Sequence, residues 1–79
     1  MSITIALSLN LKGLSCPMPI IKTAKAMKEM PPGRLVEVFA TDPGSVPDFK
    51  AWAQATGNPL VQSTQEGAVF HFILKKKEI

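Results

Sequence analysis

The spacing of hydrophobic residues changes at Pro17, and that change restricts the fold more than any single residue does. Ahead of it Ile3, Ile5, Leu7 and Leu9 alternate with Thr4, Ala6, Ser8 and Asn10, the period of two expected of a half-buried strand. From 17 to about 30, Ile20, Ala24, Met27 and Met30 or Pro31 recur at helical spacing, with Lys22, Lys25, Lys28 and Glu29 on the other side. Pro31, Pro32 and Gly33 stop this helix, because proline cannot continue it and glycine permits the reversal. The segment RLVEVFA (34–40) predicts a second strand. In it Val36, Val38 and Ala40 are expected toward the core, with Leu35, Glu37 and Phe39 opposite.

Asp42, Pro43 and Gly44 then form a turn cluster. Ser45 is read as the N-cap of a helix over 46–56, with Asp48 completing a capping-box pattern. Phe49 and Ala53 share one face of it beside Trp52, and Gly57 and Pro59 end it. Two more strands, over 60–65 and 68–75, flank a hairpin turn at Glu66-Gly67.

The order β-α-β-α-β-β over residues 1–79 predicts a single domain. Strand, helix and strand in succession imply a right-handed parallel crossover. Two helices cannot cover both sides of a four-stranded sheet. The expectation is an α/β two-layer sandwich, with a mixed sheet and both helices on one face. Phe70, Phe72 and Leu74 should meet the helices. Val69, His71 and Ile73, with Leu35 and Phe39, should then form an apolar stripe on the open face. Such a stripe would suit a partner or a weak dimer, or be tolerable exposure.

A chain this short buries roughly 60% of the surface its unfolded form exposes, which limits it to one modest core. With 46% hydrophobic and 19% charged residues it reads as globular. The opening residues have no positive n-region and no apolar run approaches a membrane span, so the expectation is a cytoplasmic protein without membrane contact. A formal net charge of +3 is mild, and the lysines at 75–77 are expected to belong to a solvated basic tail over 74–79. Nucleic-acid binding favours basic residues interleaved with exposed aromatics, and this chain has no tyrosine. Direct nucleic-acid binding is not expected.

Chemistry concentrates at Cys16, the single cysteine, in GLSCPMP (13–19). With one cysteine there is no internal disulfide, and a free thiol fits a reducing compartment. If Cys16 is the N-cap, Pro17 is N1 and Pro19 is N3, both tolerated because first-turn N–H groups lack helical partners. The two rings stiffen the helix start, with Gly13 in the loop before it, and leave the sulfur only the Met18 N–H. The positive helix end, with Lys12 and Lys22 nearby, is expected to lower the thiol pKa below its ordinary value of about 8.5. The alternative is a buried, inert cysteine filling the core. One histidine and one cysteine cannot close a four-ligand metal site, so no metal is expected. His71 is read as a surface residue, and Asp42 and Asp48 as turn and cap residues. With no conventional active site, the residues suggest a chain that carries a group.

LNLKGLSCPMPIIKTAKAM (9–27), followed by a strand and TDPGSVPDF (41–49), resembles the TusA/SirA family of small sulfur-carrier proteins. The resemblance runs from about 7 to 75 and is most specific at Cys16-Pro17-Met18-Pro19. It implies a sandwich like the C-terminal domain of translation initiation factor three. It further implies a sulfurtransferase-type carrier in which Cys16 is the nucleophile and holds persulfide sulfur, with no other cofactor. A cysteine desulfurase or rhodanese-type protein would donate that sulfur, and a further protein would accept it. The routes served in the family are tRNA thiolation, molybdenum cofactor assembly and sulfur oxidation. Here Asn10 and Met18 stand where an acidic residue is common, which removes negative charge near the sulfur. Lys12, Lys22 and Lys25 are the expected docking residues. The rival reading is a binding or regulatory module with an incidental or redox-sensing thiol.

Overall fold

Six elements follow in the expected order: β1 (Ile5–Leu11), α1 (Met18–Lys28), β2 (Leu35–Ala40), α2 (Ser45–Thr56), β3 (Leu60–Glu66) and β4 (Val69–Lys75). The computed structural model describes residues 4–77. Ile3, expected in the first strand, and Glu78 and Ile79, expected in the tail, lie outside the described residues. The strands form one mixed sheet in the order β1-β2-β4-β3. β1 pairs parallel to β2, and β4 pairs antiparallel to both β2 and β3. The fold is the expected two-layer α/β sandwich.

Alternation within the strands accounts for the core. Val36, Val38 and Ala40 of β2 and Phe72 and Leu74 of β4 are all 0% exposed, and they meet Phe49 of α2 and Met27 of α1. In register, Val38 faces Phe72 and Val36 faces Leu74, so the two central strands present one apolar surface to the helices. Phe49 stacks on Phe72 at 4.5 Å between ring centroids. On α1 the buried residues are Pro19, Thr23 and Met27. Thr23 went unnoticed in the sequence because its hydroxyl disguises a position on the inward stripe.

Several local expectations move. The hairpin turn is Gly67-Ala68, one residue later than read, because Glu66 still pairs with Val69. Gly67 supplies a φ of +61° there, which a residue with a Cβ adopts only at a cost. Ser45 is not the N-cap of α2: Gly44 is, and the Ser45 hydroxyl is buried with no hydrogen-bond partner among the described residues. The 74–79 tail reading also fails where it can be seen. Leu74 is 0% exposed in the core, and the Lys76 backbone exchanges hydrogen bonds of 2.8 Å with Gly33 and Arg34. The Lys76 ammonium donates to the Met27 carbonyl at 2.9 Å, where a cation suits the negative end of α1.

The open face is less apolar than expected. Ile73 is 5% exposed, and Glu37 crosses the stripe, accepting from Ser8 Oγ at 3.0 Å and lying 2.8 Å from Nε2 of His71. His71 is half-buried and stacks on Phe39 at 4.7 Å. His71 does reach the surface, as read from the sequence, but it is packed against Phe39 and paired with Glu37 instead of being fully solvated.

Candidate functional site around Cys16

Parallel pairing of β1 with β2 brings their C-terminal ends, Leu11 and Ala40, side by side. The loops that follow, one leading to α1 and the other to α2, must therefore run next to each other. Hydrogen bonds join them twice. The Gly13 N–H donates to Thr41 Oγ1 at 2.9 Å, and the Cys16 N–H donates to Asp42 Oδ2. Gly13 has a φ of +86°, which reverses the chain straight after β1. Leu14 anchors the same loop in the core. Cys16 thus stands exposed at the junction of two helix starts. A Cβ added to Gly44, the N-cap of α2, would lie 3.5 Å from its own Cβ.

The sulfur does not cap α1. Pro17 occupies the N-cap, Met18 and Pro19 are the first two helical residues, and no side chain bonds to the helix start. The Met18 N–H donates instead to the Ser15 carbonyl at 2.9 Å. Two prolines at the start of the helix remain compatible with it for the reason anticipated: the missing N–H groups have no helical acceptor. The Cys16–Pro17 peptide is cis.

The thiol donates to Asp48 Oδ2, with Sγ 2.5 Å from the oxygen. The electrostatic expectation is overturned as a result. The thiol pKa is raised, foremost by that hydrogen bond, then by partial loss of solvent, then by the negative charges of Asp48 and Asp42. A carboxylate accepting the proton stabilises the thiol form, and its charge opposes a thiolate. Asp42 and Asp48 are therefore parts of the site, whereas the sequence reading made them a turn and a cap. The clue lay in the topology. A parallel crossover places both helix starts at one end of the sheet, so an acidic residue in the first turn of α2 falls within reach of a residue preceding α1.

The other singled-out residues are more scattered. Met18 is 39% exposed close to the cysteine in sequence, while Pro19 is buried on the inward side of α1. Lys22 and Lys25 are exposed on α1. Lys12 lines a groove with Phe39, Thr64, Glu66, Val69 and His71 on the opposite side of the sheet. A second groove, between α2 and β3, is lined by Val46, Lys50, Ala53 and Leu60 among others. Neither groove is lined by Cys16, so the thiol projects outside both of them.

An exposed lone thiol at the start of this α/β sandwich can be set beside known proteins. The family described as sulfurtransferase TusA matches residues 7–76. The chain belongs to the TusA family. The sulfur carrier protein TusA of Allochromatium vinosum is 50% identical over 68 residues, covering 86% of this chain and 90% of that protein. The putative sulfur carrier protein YrkI of Bacillus subtilis is 46% identical, covering 86% of this chain and 91% of its own length. A solved SirA-like protein from Desulfitobacterium hafniense superposes with a TM-score of 0.80 over 91% of this chain and 99% of that one. At 22% identity that likeness speaks for the fold alone. None of the helices among the described residues is long and apolar enough to cross a membrane.

Proposed function

We propose that this TusA-family chain is a sulfur carrier that holds a persulfide on Cys16 and passes the outer sulfur between protein partners. One observation carries the reading: the single thiol of the chain stands exposed on a loop tied to its neighbour, outside the described grooves. A group held this way meets its reaction partner on the surface of another protein. Cys16 Sγ attacks the outer sulfur of a donor persulfide, and the donor sulfur leaves as a thiolate. An acceptor thiolate later attacks the outer sulfur on Cys16, returning Cys16 to the thiol. The donor is a cysteine desulfurase or a rhodanese-type protein, and the acceptor a further protein in a relay to tRNA thiolation, molybdenum cofactor assembly or sulfur oxidation. The exposed lysines Lys12, Lys22 and Lys25 offer docking charge, and the persulfide is the only prosthetic chemistry required. A reducing cytoplasm keeps such a thiol free.

Mass spectrometry tests this directly. After incubation with a persulfide donor, the intact chain should gain about 32 Da per bound sulfur, and reductant should remove it. The absence of any adduct on this exposed thiol would sink the carrier reading. A binding or regulatory module in which the thiol is incidental would then stand, a reading that a raised thiol pKa would suit.

A further inference from the structure

We propose that Asp48 is a load-sensing latch: it holds the thiol proton of the empty carrier and lets go when Cys16 takes on a second sulfur, whereas Asp42 holds the loop in both states. The inference rests on the carrier reading above. It arises from the different atoms the two carboxylates contact. Asp42 accepts from the backbone N–H groups of Cys16 and Gly44, which exist whatever the sulfur carries. Asp48 accepts from the thiol itself. Asp48 also has no capping duty. The Gly44 and Ser45 N–H groups at the start of α2 are taken by the Asp42 side chain and carbonyl.

Loading removes the donor from the Asp48 bond. With a donor persulfide R–S–SH, Sγ bonds to the outer sulfur, the donor S–S bond breaks, and the Cys16 proton ends on the departing thiolate. The products are R–SH and Cys16–S–SH, with no net oxidation or reduction. Sγ now bears two covalent bonds and no hydrogen, so it can only accept, and the ionised carboxylate facing it can also only accept. Their contact loses its bonding proton. The outer sulfur, more acidic than a thiol, ionises, and its charge repels Asp48. Empty and loaded carriers therefore present different surfaces at one point: a thiol tied to a carboxylate, or a free carboxylate beside an anionic sulfur. In the empty state the latch also protects Cys16, because the thiolate is the form that alkylating agents and oxidants attack.

Two measurements test the latch, beginning with the pH dependence of iodoacetamide alkylation. The Asp48→Asn variant, matched in shape, should bring the midpoint down, since it removes the charge and the ionised acceptor facing the thiol. For each unit the midpoint falls, the thiolate fraction at pH 7 rises about tenfold and its intrinsic nucleophilicity drops about threefold, so alkylation there should run about threefold faster per unit. Asp42→Asn, which touches the thiol only through its charge, should shift the midpoint less. In the wild-type chain, sulfuration should move the carboxyl carbon-13 resonance of Asp48 and leave that of Asp42 nearly in place. Superimposable alkylation profiles, or an Asp48 resonance that ignores a sulfur confirmed by mass, would overturn the latch and leave the carrier intact. Failure of the wild-type chain to gain sulfur at all would instead overturn the carrier reading.

Discussion

Replacing Cys16 with serine abolishes sulfur loading while leaving the fold in place. The side chain is exposed, and a hydroxyl matches the thiol in shape and as a donor to Asp48. The backbone bond from residue 16 to Asp42 is retained. Exposed substitutions of this kind usually change stability by no more than about 0.5 kcal/mol, so the melting temperature should stay within about 4 °C of wild type. Serine, however, offers no thiolate to attack a persulfide sulfur, and no second cysteine can take over. Loss should be complete: no mass gain from a persulfide donor at concentrations that load the wild-type chain, and no onward transfer. Loading that survives in a folded Cys16→Ser variant would place the sulfur elsewhere and end the role assigned to this residue.

Phe72→Ala should be the most damaging single change to the fold. Phe72 is 0% exposed, lies on central strand β4 opposite Val38, and stacks on Phe49 of α2. It joins the sheet to the helical layer at the middle of the core. Truncating a fully buried phenylalanine costs about 3–5 kcal/mol through lost transfer energy and the cavity left behind. A domain of this size is stable by about 4–12 kcal/mol in all. The loss therefore takes a large share, and in the lower part of that range it leaves the chain mostly unfolded. Urea denaturation should show the midpoint falling with an unchanged slope. A loss below about 1 kcal/mol would mean that α2 does not depend on this contact.

The two outcomes separate chemistry from architecture, and the sequence spoke unequally to them. Alternation at Val36, Val38 and Ala40 and at Phe70, Phe72 and Leu74 predicted the core face because burial follows the pleat residue by residue. Pro31, Pro32 and Gly33, and later Gly57, marked helix ends through their own backbone preferences. Cys16 was conspicuous for similarly local reasons: a lone thiol ahead of two prolines. Misreadings fell where a residue had two possible employers. Ser45 suited a cap, yet Gly44 holds that position and the hydroxyl is buried. Lys76 looked like part of a solvated tail, yet it reaches a helix carbonyl.

From the order of residues alone came the element sequence, most of the inward faces of the strands, the sandwich and the single thiol on which the proposed chemistry rests. Each is governed by neighbours a few positions away, where periodicity and backbone preference act. The electrostatic state of the thiol needed the folded chain. The carboxylates that govern it lie 26 and 32 positions along from Cys16, and they reach it only because two parallel strands end side by side. A helix end read in isolation promised a lowered pKa. The direct hydrogen bond from the sulfur to Asp48 reverses that promise, because a carboxylate in contact outweighs a partial charge at the end of a helix.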